Sequence, residues 1–189
     1  MVDDGSDPHT AGRMSLWKAF CRQQRIREEG APLFATDGRA VRVQPLGGRI
    51  VLERSPEMIA LVGEQASKIE RDFRDETHLY EGLLYMLYWT EGDEVIPLYI
   101  GKTEKYGKKH GNLSANISRS RNVFCRWGYG RGYHLGELSA AACVGGALVR
   151  SSYVRWAERL FETAPAERPV LVRETYFWIS AWRRGATGP

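Results

Sequence analysis

Hydrophobic and polar positions change rhythm several times along the 189-residue chain, and each change marks an element. Residues 1–12, MVDDGSDPHTAG, carry no apolar period and read as a flexible tail. Across residues 15–29 the spacing of Leu16, Ala19, Phe20 and Ile26 predicts a short basic helix, stopped by Gly30-Ala31-Pro32. Residues 39–54 alternate polar and apolar on both sides of Leu46-Gly47-Gly48, the pattern of a small hairpin. Ser55 then stands as a helix N-cap, with Pro56 in the first helical position and Glu57 in the first turn. Met58, Val62, Ile69 and Phe73 continue that helix at close to its natural period.

The stretch EGLLYMLYWTEGDEVIPLYIGKT, residues 81–103, is two apolar strands joined through the polar turn TEGDE. With Tyr85 set opposite Tyr99, the midpoint of the pair falls on Gly92 inside that turn. Side chains two apart on a strand point the same way, so the two rings are expected on one face. Helices are then predicted around 113–118 and 134–144, with a short apolar segment starting at Phe124-Cys125-Arg126-Trp127. Ser151 or Ser152 is placed to cap a further helix whose apolar face is Val154, Ala157, Leu160 and Phe161, ended by Pro165. PVLVRETYFWISAW, residues 169–182, reads as a strand rich in valine and aromatic residues. The expected order is β-β-α-α-α-β behind an N-terminal extension, residues 13–78, that carries a helix, a small hairpin and a second helix. The fold class is α+β.

A hydrophobic content of 43% supplies enough apolar surface for a real core and excludes a disordered chain. Three cysteines, Cys21, Cys125 and Cys143, are odd in number and lack a CxxC spacing, which indicates neither a disulfide framework nor a zinc ribbon. No run approaches the roughly 18 apolar residues of a membrane span, and a soluble, cytoplasmic protein is expected. The net charge of +4 is unevenly spread, since the window 102–131 holds eight basic residues against Glu104 alone and is +7, leaving −3 elsewhere. A local basic face beside a tyrosine hairpin suits a polyanion, because phosphate neutralisation with counterion release dominates non-specific nucleic-acid binding. Lys105, Lys108, Lys109, Arg119, Arg121 and Arg131 are the expected backbone contacts on that face, the alternative being a solvated loop. His134 titrates in the physiological range and is a candidate proton shuttle or phosphate donor. His134 and Glu137 stand three apart on a predicted helix turn, a spacing that can bring both to one metal.

Tyr99-Ile100-Gly101, preceded by Leu83-Leu84-Tyr85 on the partner strand and followed by Lys102, resembles the paired motif of the GIY-YIG nucleases over about residues 82–182. The second half of the motif matches letter for letter, whereas Leu83 stands where the family has glycine. The resemblance implies a small three-stranded antiparallel sheet flanked by helices, occupying residues 79–189. It implies Mg²⁺-dependent endonuclease chemistry on DNA, with Tyr85 and Tyr99 in the tyrosine positions and Gly101 as a structural motif residue. Lys102 is expected to favour the phenolate of a neighbouring tyrosine. An arginine downstream is expected to bind the phosphate. Arg126 is the choice, in the apolar-flanked FCRWGYG, with Arg119 and Arg121 as competitors. The metal-holding glutamate of the family follows the third strand, where this chain ends at Pro189. Glu158, Glu162 and Glu174 come before or within that strand and match no family position, so the metal ligand is unassigned and the domain is expected to be C-terminally truncated. Two functions from different classes follow: a metal-dependent endonuclease domain, or a catalytically inactive module that binds nucleic acid or a partner protein.

Overall fold

The computed structural model describes residues 8–46, 48–107, 111–118, 134–146, 149–186 and 188. Its centre is an antiparallel sheet built on the tyrosine hairpin. Strands β6 (Tyr80–Glu91) and β7 (Glu94–Glu104) form that hairpin, β8 (Tyr176–Arg183) lies on the other side of β6, and the two-residue β1 (Ala31–Pro32) adds a fourth strand beyond β8. The order is therefore β1-β8-β6-β7, four strands where sequence alone suggests three. Two small ladders precede the hairpin, β2 (Thr36–Asp37) with β3 (Ala40–Val41), and β4 (Val43–Leu46) with β5 (Arg49–Leu52). The helices are α1 (Pro8–Gln23), α2 (Ile26–Glu29), α3 (Pro56–Arg74), α4 (Ala115–Ser118), α5 (His134–Cys143) and α6 (Ser151–Leu160). The architecture is mixed α+β. Among the described residues no helix is long and apolar enough to cross a membrane.

Each face of the sheet carries its own core. Leu83, Tyr85, Leu87, Phe177 and Ile179 point to the larger one, which they share with Met58, Val62 and Ile69 of α3 and with Leu138, Ala142 and Leu160 of α5 and α6. Met86, Tyr88 and Trp178 point the other way and meet Phe20 and Ile26 under α1 and α2. Residues from the N-terminal third are thus built into the main core: α3 packs on β6 and β8, and Ser55 caps it by accepting a hydrogen bond from the Met58 amide at 2.9 Å. The Ser55 hydroxyl also donates to the Pro32 carbonyl, tying the cap to β1.

Three expectations need correction. The basic helix expected over 15–29 starts earlier, at Pro8 inside the stretch read as a flexible tail, and is two helices, because Arg25 adopts a left-handed conformation, φ 49°, that turns Ile26 into the second core. Leu16, assigned to its apolar side, is 73% exposed. The last strand begins at Tyr176, not 169, since Arg39 Nη1 donates to the carbonyls of Leu171 and Val172 and holds that segment to the β2–β3 ladder. Neither Ser151 nor Ser152 caps α6, whose N-cap is Arg150 with no side-chain bond, and Val154 lies on its solvent side. The buried side is Tyr153, Trp156, Ala157 and Leu160, at helical positions i, i+3, i+4 and i+7.

Candidate functional site

The register of the hairpin decides where its tyrosines point. The turn is Gly92-Asp93, closed by Glu91 opposite Glu94, with Gly92 at φ 55° in the position where a tight hairpin turn needs glycine. Pairing from that turn sets Tyr88 opposite Pro97, and continued without interruption it would leave Tyr99 on the face opposite to Tyr85. A bulge at Leu98 prevents this: Leu87 pairs with Tyr99 and Tyr85 with Gly101. Pro97 has no amide to offer the ladder, which gives the interruption its physical cause. Tyr85 is therefore diagonal to Tyr99, not opposite it, and the shared face comes from the bulge. The ring centroids are 6.0 Å apart with planes at 41°.

Gly101 makes room for this arrangement. A Cβ there would lie 2.5 Å from Cζ of Tyr85. Tyr85 is 5% exposed and stacks on Phe177 at 6.1 Å, whereas Tyr99 is half-buried and meets Trp156 of α6 edge-on at 5.4 Å. Tyr153, one turn earlier on α6, lies 6.3 Å from Trp156. Beyond it Arg150 Nε stands 3.7 Å from Oε1 of Glu137, while Oε2 of Glu137 is buried without a hydrogen-bond partner among the described residues. Burial raises the Tyr153 pKa, and the Glu137 charge raises it further, with Tyr99 also within electrostatic range. Tyr153 is accordingly a neutral hydrogen-bond donor at physiological pH. Helix α5 holds Glu137 in place because Ser139, inside it, accepts a hydrogen bond from the Leu52 amide of β5 at 3.0 Å.

The other candidate residues divide sharply. Lys102 pairs with Leu84 across the hairpin and so lies on the second face of the sheet, away from both rings, 76% exposed and 3.2 Å from Glu104. The expectation that it favours a tyrosinate has no geometric basis. Lys105, expected on the basic face, is 1% exposed, and its ammonium sits 2.6 Å from Asp72. It continues the alternation of Tyr99, Gly101 and Thr103 to the core side of β7, and Asp72 at the end of α3 receives it. Lys108, Lys109, Arg119, Arg121, Arg126 and Arg131 lie outside the described residues, and so does Cys125. His134 is the first residue of α5, its side chain outside the described part. Cys21 and Cys143 are both pushed up to about 11 by burial, which leaves them as thiols at neutral pH and unsuited to nucleophilic work.

Sequence reasoning missed Arg150, Tyr153 and Trp156. The i, i+3, i+4, i+7 pattern of Tyr153, Trp156, Ala157 and Leu160 was the signal available. A cleft of about 1120 Å³, lined by His78, Lys102, Tyr106, Ser114, Asn116 and Arg184 among others, opens at the far end of the hairpin and includes neither tyrosine. Among the described residues no three His, Cys, Asp or Glu side chains gather into a metal-binding group. No protein-family model, curated protein or solved structure matches this chain.

Proposed function

We propose that the chain is a GIY-YIG-like domain acting on DNA, an endonuclease that hydrolyses phosphodiester bonds with a divalent metal. The observation that carries this reading is the tyrosine pair, 6.0 Å apart on one face of an antiparallel hairpin over a glycine that their packing requires. Hydrolysis needs a positioned water, a cation for the charge developing on phosphorus and a group that moves a proton. Tyr99, half-buried and braced by Trp156, is the ring with access to substrate, and its hydroxyl is assigned to orient the attacking water. Tyr85 supports it from below. Arg150 is the guanidinium beside this face, placed to hold a phosphate by paired hydrogen bonds.

Mg²⁺ takes hard oxygen donors, and the buried Oε2 of Glu137, without a hydrogen-bond partner among the described residues, is one that fits. Glu137 would hold the ion, which supplies Lewis-acid stabilisation of the phosphoryl oxygens. A second reading, a module of the same kind that binds nucleic acid or a partner without cutting, is favoured by one feature: Tyr85 is 5% exposed and packed as a core residue.

Supercoiled plasmid incubated at low salt with Mg²⁺ or with EDTA tests both. Metal-dependent nicking that falls about 100-fold in Tyr99→Phe and in Glu137→Gln is expected. Nicking unchanged in both folded variants would remove these residues from the site, and retardation without nicking in the unaltered protein would select the binding module.

A further inference from the structure

We propose that α6 and the distal end of β6 form a stacking platform for single-stranded nucleic acid. The inference rests on the reading that the chain acts on nucleic acid and adds to it the form of the strand. Trp89, half-buried near the end of β6, has guanidinium groups from two separate elements over its ring, Arg159 at 5.5 Å and Arg173 at 5.6 Å. Its indole N–H donates to Oγ1 of Thr175 at 3.0 Å, which fixes the plane of the ring. Trp156 precedes Arg159 by three positions on α6, and both line one small cavity with Thr175, the residue that bonds the Trp89 indole, which brings the two tryptophans near one another.

Followed along α6 and onto the sheet, three arginines flank three half-buried rings, in the order Arg150, Tyr153, Trp156, Arg159, Trp89, Arg173. The row passes Tyr99, 5.4 Å from Trp156. Its charge is only partly answered. Arg150 and Arg173 stand 3.7 and 3.6 Å from Glu137 and Glu91, whereas Arg159, like the exposed Arg155 one turn before it, has no ion-pair partner among the described residues. Glu158 sits two positions beyond Trp156, on the far side of the helix from that ring.

Guanidinium groups held over Trp89, with the part-exposed rings of Trp156 and Tyr153 beside them, match unpaired bases joined by phosphates, because a base stacks on a guanidinium plane as it does on a ring and each linkage brings a negative charge. In a duplex the bases are stacked on one another and withheld, so the platform favours a single strand. A peptide would satisfy the rings and leave the excess positive charge unanswered.

The test is binding in EDTA, where no cutting intervenes, of a fluorescent 15-nucleotide oligo-dT and of a duplex of equal length, followed by anisotropy over a salt series. The single strand is expected to bind at least 10-fold more tightly than the duplex. Arg159→Gln should weaken it about 5-fold and flatten the logarithmic salt slope by about 0.7, and Trp89→Leu should weaken it about 10-fold. Arg155→Gln, at an exposed position one turn before Arg159, provides a second variant. Equal affinity for the two forms, or unchanged single-strand binding in both arginine variants, overturns the platform while leaving the nuclease reading intact. Binding to neither form overturns both.

Discussion

Among single residues, Gly101 controls the site most directly. Its strand conformation is ordinary, and what makes glycine necessary is the Tyr85 ring lying across it. Gly101→Ala places a methyl 2.5 Å from that ring, so the ring or the strand must shift. The expected cost is about 1–3 kcal/mol in urea unfolding, with any nicking activity reduced further than the stability loss accounts for. A stability equal to the parent protein's would show that Tyr85 moves aside freely. The tyrosines and this glycine were readable in the sequence because alternation and spacing are local. Lys102 was misplaced by the same local logic, since adjacency in sequence on a strand puts neighbours on opposite faces.

For whole elements, caps and turns carried the most information. Ser55-Pro56 announces α3, and the structure supplies the bond, from the Met58 amide to the Ser55 hydroxyl. Ser55→Ala removes that acceptor and the tie to β1 together, and a loss of about 1–2 kcal/mol is expected from thermal or urea melts. A loss below about 0.3 kcal/mol, the scatter of ordinary surface changes, would mean that Pro56 alone starts the helix. The β-bulge was not readable. Pro97 hints at an interruption, but whether a strand slips by one residue there depends on what the two faces have to bury. Helix α6 was found with its face turned slightly, because Val154 is as apolar as the residues that pack. Only the packing of Trp156 against Tyr99 shows which side is inward.

At the level of the molecule, one buried ion pair joins elements distant in sequence. Burial pushes the Asp72 carboxyl up, but hydrogen bonds from Lys105, Thr77 and the Leu79 and Tyr80 amides outweigh it and hold the pKa at about 2. Because the folded value lies below the unfolded one, near 3.8, the group stabilises the fold above about pH 4. That contribution is lost as pH falls toward 2. The shift corresponds to about 2 kcal/mol. Urea unfolding at pH 7, 5, 3 and 2 should show this loss, and Asp72→Asn should be about 3–5 kcal/mol less stable at pH 7 because it strands a buried ammonium. Equal stability of the variant would mean that Lys105 reaches water in the folded protein.

Local sequence was enough for the hairpin, its glycine turn, the cap of α3 and the mixed α+β class, all of which follow from periodicity, turn chemistry and capping within a few residues. The tertiary structure alone decided the rest: the bulge that keeps Tyr99 beside Tyr85, the fourth strand from Ala31–Pro32, the withdrawal of Lys105 from the surface to Asp72, and the row of rings and guanidinium groups along α6. These depend on which surfaces meet across the chain. Residues such as Asp72 and Lys105, 33 positions apart, carry no local mark of one another. Burial and pairing are set by partners brought together only when the sheet and helices close over a common core.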